Sequence, residues 1–407
     1  MKILLVSLYW PPGGGAGVHR PLKLAGHLAQ LGHDVHVLAP DDPKWVHRDR
    51  SLREPTGLTV HRARNLGLPA RSRPRVGAPV AERIRFRALV ALRRVLVPDA
   101  SVLWNLTAIP AVLRIVRAER IDAVLTTSPP ISVHFVGLAA KRRARARWVA
   151  DLRDSFLTPD RRRHLRGEGR LARLVARNAD AIVTATRGIA DEMRALAPRG
   201  RVEAIENACD FEDFEGLEYR PSERFRLTHT GSFVSRRDAR PFFEALARTN
   251  GAVVARFVGG LPAADAPYVE ELGVRERLEV VPFQPHDRAV ALQRDSEALL
   301  LLLAEAGDAG RKILSTKIFE YLAAGRPILA AVPPDGEAAE LIRETGAGVV
   351  VAPDDVDGIE AALTDLEQRW RQGTLAPVEL SAEQRARLSR RERAERLAAV
   401  LEEVARA

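Results

Sequence analysis

Cysteine is almost absent from this 407-residue chain: Cys209 stands alone. No intramolecular disulfide and no cysteine metal cage can form, and the usage fits a reducing compartment. Long apolar runs are missing as well. Residues 3–9 form one and residues 299–304 another, and both are far too short to span a bilayer. The first ends at Pro11-Pro12 and lacks the small-residue cleavage site of a signal peptide. These absences predict a cytoplasmic protein, at most peripheral to the inner face of a membrane. Aromatic residues are only 5% of the chain and do not interleave with its basic stretches, which disfavours a base-stacking nucleic-acid surface. His134 and His164 have no partner at metal-ligand spacing, and no serine stands in a nucleophile elbow. Neither a metal site nor a Ser/His/Asp triad is expected.

What is present is positive charge. Sixty-three Lys and Arg outweigh 53 Asp and Glu, for a net +10. The basic residues crowd 83–94, 141–147 and 161–173. Three readings compete: solvated surface arginines, attraction to anionic lipid or a phosphorylated ligand, and nucleic acid. The stretch from Arg83 to Arg94 lies in a basic amphipathic helix expected over residues 81–97, which suits peripheral contact with an anionic membrane. The apolar fraction, 46%, allows a large core.

Strand and helix patterns alternate along the chain, which predicts open α/β sheets. Residues 1–8, 34–39, 58–62, 123–127, 147–151, 181–185 and 201–206 read as strands, with helices between most of them. After a linker, strands are expected at 225–231, 253–259, 278–283, 299–303, 327–331 and 348–351. Residues 64–79 read as a loop, and 381–406 as one long charged helix. The domains predicted are 1–206, a linker at 207–222, 223–380, and a terminal helix at 381–407 that crosses back to the first domain.

The most informative stretch is 298–351, read as strand, loop, helix, strand, helix, strand. In parallel sheets, ligands bind where a strand's carboxyl end meets the next helix's amino end. The helix here opens Ser315-Thr316-Lys317 and carries Glu320 one turn after the lysine. Hydroxyls, free backbone N–H groups, an ammonium and the helix dipole together suit a diphosphate. Near the amino end, Gly13, Gly14, Gly15 and Gly17 sit between the first strand and its helix, where glycine lets backbone approach a ligand closely. They do not form a dinucleotide fingerprint, and no acidic residue closes the next strand, so a nicotinamide dehydrogenase is disfavoured.

These residues resemble the glycosyltransferases of the GT-B fold, family 4 in particular. The likeness rests on the glycine loop with Arg20, on 151–154 (Asp-Leu-Arg-Asp), on Asn207 with Asp210, on Thr230-Gly231-Ser232, and on 315–325 followed by Pro327. That last segment matches a branch with a Ser-x-Lys-x-x-Glu-Tyr-x-Ala-x-Gly pattern. The resemblance implies two Rossmann-like domains facing across a cleft. It also implies transfer of a sugar from a nucleoside-diphosphate donor, with retention at the anomeric carbon and without cofactor or metal. Asp41-Asp42 and Asp354-Asp355 lack the strand context of the metal-binding Asp-x-Asp of the other major glycosyltransferase fold.

Residue by residue, the resemblance puts Glu320 on the nucleotide ribose and Lys317 on the leaving diphosphate, assisted by Ser315 and Thr316. The first glutamate of the family's pair is replaced by Lys312. The family's arginine after the strand glycine is Ser232 here, and its following lysine is Arg237; Arg236 and Arg237 are therefore assigned to the diphosphate. The base is expected near Phe283 and Gln284. The glycine loop and Arg20 fall on the acceptor side. Asp151, Arg153 and Asp154 either recognise hydroxyls there or close their loop as an Asp–Arg pair; the family's usual histidine is Ala150. The acceptor is left open as a glycan, a lipid-linked saccharide or a small metabolite. The competing functions are a nucleotide-sugar epimerase of the same fold and a basic nucleic-acid-binding α/β protein.

Overall fold

The computed structural model describes residues 1–42, 44, 48–69, 79–157, 165–231, 239–261, 263–303 and 308–407. The chain divides into two units. The first holds Met1–Glu206 with Arg390–Ala407, the second Asn207–Ser389. Arg236 and Arg237, and most of the loop expected at 64–79, lie outside the described residues.

In the first unit the order is β1 (Lys2–Val6), α1 (Ala16–Gln30), β2 (Asp34–Pro40), β3 (Leu58–Ala63), α2 (Val80–Val95), α3 (Asn105–Glu119), β4 (Ala123–Ser128), α4 (His134–Ala144), β5 (Arg147–Leu152), α5 (Leu165–Asn178), β6 (Ala181–Thr184), α6 (Arg187–Arg194) and β7 (Arg201–Ala204). The strands make one parallel sheet in the order β3-β2-β1-β4-β5-β6-β7. Its inner strands are largely apolar without alternation because both faces are covered, while the edge strands β3 and β7 are partly exposed. Ile3 and Leu5 face α1, while Leu4 and Val6 face α3 and α4. The strand order reverses between β1 and β4, so their carboxyl-end loops define a switch point.

The second unit runs β8 (Phe225–Thr230), α7 (Arg240–Arg248), β9 (Val253–Val258), α8 (Ala266–Glu271), β10 (Leu278–Val281), α9 (His286–Arg294), β11 (Ala298–Leu302), α10 (Asp308–Arg311), α11 (Thr316–Ala324), β12 (Ile328–Ala331), α12 (Glu337–Thr345), β13 (Gly348–Val351), α13 (Val356–Arg371) and α14 (Ala382–Leu388). Its parallel sheet has the order β10-β9-β8-β11-β12-β13, with the switch between β8 and β11. Leu300 and Leu302 pack with α7 and α13, and Leu299 and Leu301 with α11 and α12.

Three expectations need correction. Residues 381–406 are not one helix. Ser389 adopts an extended conformation and separates α14 from α15 (Arg390–Arg406). The chain passes from the second unit to the first at this break, and not at residue 381. Residues 207–222 are not a detached linker but part of the second unit. The Cys209 N–H donates to the Leu388 carbonyl at 2.8 Å, and the Tyr219 hydroxyl to Glu297 at 3.0 Å. Finally, α13 was not anticipated, although its Ile359, Leu363 and Leu366 are buried in the core.

α15 lies on the first unit's sheet beside α1 and buries Leu397, Val400 and Leu401. Leu401→Ala therefore removes core volume and should cost about 2–5 kcal/mol. Chemical denaturation will show this as an earlier transition of the first unit.

His134 is fully buried under the same sheet. The Trp148 indole donates to the Thr126 hydroxyl at 2.8 Å, and that hydroxyl shares a hydrogen bond with His134 Nδ1 at 2.9 Å. Burial pushes the imidazole down to about 3. The unfolded chain binds this proton near pH 6.5, so the stability contributed by neutral His134 is complete above that pH. It falls as the pH drops towards 3, by about 1.4 kcal/mol per unit. Between pH 7 and 5 the wild type should lose more unfolding free energy than His134→Asn. Equal losses would remove His134 as the cause.

Candidate functional site

In the second unit the switch between β8 and β11 gathers the polar groups. β8 ends at Thr230, and Gly231 follows with φ +102°, a conformation glycine adopts without strain. α11 starts opposite. Ser315 is its N-cap, accepting weakly from the Lys317 N–H at 3.4 Å. The Thr316 hydroxyl accepts from Asn207 Nδ2 at 3.3 Å, which ties the helix start to the segment after the first unit.

Lys317 reaches back from this first turn to β8. Its Nζ lies 3.2 Å from His229 Nε2, and His229 Nδ1 lies 2.9 Å from the Leu300 carbonyl. A carbonyl only accepts, so Nδ1 carries the ring proton and Nε2 offers its lone pair to the ammonium. His229 is fully buried and spans β8 to β11. It thereby fixes where the lysine charge sits. Gly231 completes the fit: a Cβ there would stand 2.6 Å from Lys317 Cε. Any larger residue would push the lysine away.

One turn on, Glu320 is held by Gln293 of α9, whose Nε2 donates to Glu320 Oε2 at 2.8 Å and to the Thr230 hydroxyl at 3.0 Å. The Thr230 N–H donates to the Tyr321 hydroxyl at 3.0 Å. An ammonium, a braced carboxylate and the amino end of α11 thus converge on the end of β8. The dipole and the first-turn N–H groups favour an anion there. Phe283 and Gln284 follow β10, two strands from β8 in the same sheet, and are partly buried. Lys312 is partly buried just before α11.

In the first unit, the residues singled out by sequence meet at the switch between β1 and β4. Arg20 and Asp151 form an ion pair at 2.8 Å, each only 2% exposed. Arg20 also donates to the Ile205 and Glu206 carbonyls, and Thr127 donates to Asp151 Oδ2 at 2.7 Å. Burial alone would raise the Asp151 carboxyl, but the Arg20 guanidinium wins and holds it below the usual range. Both carboxylate oxygens accept from protein groups, Oδ1 from Arg20 and Oδ2 from Arg20 and Thr127. Breaking such a buried pair typically costs about 3–5 kcal/mol.

Arg153 spans the switch point itself. Its guanidinium donates to the Ser128 carbonyl at 2.6 Å, to Gly17 at 2.7 Å and to Pro129 at 3.4 Å. It therefore staples the β1 loop to the β4 loop. Gly15, with φ +93°, precedes α1, and Gly14 and Gly17 are pressed against Asp49 and Tyr9. Gly13 pairs with Arg48. Burial pushes the Tyr9 hydroxyl up to about 12, with Arg153 opposing, so it is a neutral donor. Asp154 is exposed beyond the staple. Among the described residues no cluster of three His, Cys, Asp or Glu is placed to hold a metal ion.

Sequence reasoning missed His229, Gln293 and Tyr321. The signal for His229 was an imidazole inside an otherwise buried strand, one residue short of the terminal Thr230-Gly231.

Comparison with known proteins identifies the two domains. Residues 14–208 match the model of a glycosyl transferase 4-like domain, and residues 224–369 that of the glycosyl transferases group 1. Solved structures share the fold over nearly the whole chain. HepE from Anabaena, in complex with UDP, is 18% identical with a TM-score of 0.67, covering 99% of this chain and 100% of its own. A glycosyltransferase from Rickettsia africae is 13% identical with a TM-score of 0.66, covering 99% and 98%. Sucrose-phosphate synthase from Thermosynechococcus elongatus is 15% identical with a TM-score of 0.64, covering 100% and 96%. No curated protein matches the sequence. With its two parallel-sheet units and both domain models matched in order, the chain belongs to the glycosyltransferases of the GT-B fold.

Proposed function

We propose that the protein transfers a sugar from a nucleoside-diphosphate donor, bound by the second unit, to an acceptor bound by the first, with retention at the anomeric carbon. The observation that carries this is the Lys317 ammonium, fixed by His229 at the carboxyl end of β8 and beside the amino end of α11. Chemistry of this kind builds negative charge on the leaving phosphate while the sugar becomes oxocarbenium-like. A positioned cation and oriented N–H groups stabilise that charge. Glu320, braced by Gln293, is suited to accept from the ribose hydroxyls. Arg236 and Arg237 are assigned to the diphosphate as further cations. The acceptor's proton passes to the departing phosphate, so no enzyme base is required, and the cations replace a divalent metal. The acceptor is a glycan, a lipid-linked saccharide or a small metabolite, and the reaction takes place in the cytoplasm.

A melting-temperature panel of UDP-, GDP-, ADP- and dTDP-sugars identifies the donor, since a ligand that binds only the folded state raises the transition. Lys317→Ala should then lower kcat by about 10²–10³-fold while leaving nucleotide affinity nearly intact. Gly231→Ala should act in the same direction by displacing the lysine. His229→Phe keeps a ring but removes the acceptor for Nζ, and should cost about 10–100-fold in kcat. Unchanged turnover in Lys317→Ala removes the assignment. A product sugar with the donor's anomeric configuration supports retention. Conversion of the donor without acceptor would point to an epimerase instead.

A further inference from the structure

Large exposed apolar side chains are not spread over this protein. Among the described residues there are eight, and six of them fall between Val80 and Leu106: Val80, Ile84, Leu92, Val95, Val97 and Leu106. The first four belong to α2. None of the described side chains of this 16-residue helix is buried. A helix of that length is marginal in water on its own and ordinarily draws its stability from an apolar face packed on a partner.

Helical spacing shows how α2 is arranged. Val80, Ile84, Ala88, Ala91 and Val95 recur at steps of four, four, three and four, so they form one stripe, and Leu92 widens it. All six are exposed. Phe86, Leu89 and Val90 lie on the other side and are partly covered. The outward stripe is therefore more than the edge of a core face. Arg83 and Arg87 border it on one side and Arg85 on the other, all exposed. Glu82 is the only acidic residue of the helix, against five arginines.

An apolar stripe flanked by arginines suits the boundary between lipid headgroups and acyl chains. The side chains of the stripe enter the apolar layer, while the guanidinium groups reach anionic phosphates. A second copy of the chain is a poor alternative occupant, because apposing two such helices would bring like charges together. We infer that α2 docks the first unit on an anionic lipid bilayer, lying in the plane of the interface. Docking follows from the helix alone. That the acceptor is then lipid-linked rests on the transferase reading above.

The test is co-sedimentation with vesicles of phosphatidylcholine, with and without phosphatidylglycerol, at low and high salt. The full chain should bind the anionic vesicles and not the neutral ones, and salt should weaken binding. Replacing Arg83, Arg85 and Arg87 together by Gln should weaken it by roughly a hundred-fold, from the usual contribution of each basic residue near such a surface. Ile84→Ser combined with Val95→Ser should weaken it in zwitterion-diluted and purely anionic vesicles alike. In each variant the melting shift with the preferred nucleotide sugar should match wild type, which shows that the fold and donor site survive. The inference is overturned if wild type ignores anionic vesicles, if the variants bind as wild type does, or if the serine variant converts a dimer to a monomer. Vesicle binding without any nucleotide-induced melting shift would leave docking standing and remove the transferase reading.

Discussion

A buried imidazole holding a lysine amine at the end of a central strand is the contact around which the polar groups of the second unit's switch point are ordered. His229 is committed on one side to the Leu300 carbonyl, so its other nitrogen can only accept. The lysine is thus placed by the sheet and not by its own flexible stem. Gly231 leaves room for that stem, which a Cβ would displace, and Gln293 repeats the logic for Glu320. Lys317 and Glu320 are each fixed by a buried neighbour. That is what a site needs if charge is to be stabilised without reorganisation.

The first unit solves a different problem with arginine. Its switch point is formed by two loops, and Arg153 joins them through three carbonyls. Arg20 does the same for the end of β7 while its charge is met by Asp151. A planar guanidinium with five donors suits this work, and a lysine would satisfy fewer carbonyls at once. Arg20 and Arg153, which looked in sequence like ligand-binding charge, hold these loops in place.

The sheets were legible because strands covered on both faces are written as unbroken apolar runs, and the alternation with helices fixed the α/β class. The Ser315–Gly325 segment was legible because cap, lysine and glutamate lie within one helix. What could not be read were contacts between residues distant in sequence. His229 with Lys317, Gln293 with Glu320, and Arg20 with Asp151 are separated by 88, 27 and 131 positions. The break at Ser389 carries only a short local signal, the Ser-x-x-Glu spacing of Ser389 and Glu392, within charged residues that run on in helical pattern. The basic helix was foreseen, but its outward apolar stripe emerged only with side-chain exposure, because period alone does not say which face is covered.

The central claim is that Lys317, held by His229, meets the leaving diphosphate. A crystal structure with the preferred nucleoside diphosphate tests it most directly. The account predicts a phosphate oxygen within hydrogen-bonding distance of Lys317 Nζ and of the N–H groups that open α11, with Glu320 on the ribose. A diphosphate bound elsewhere, with Lys317 turned only to His229, would contradict it.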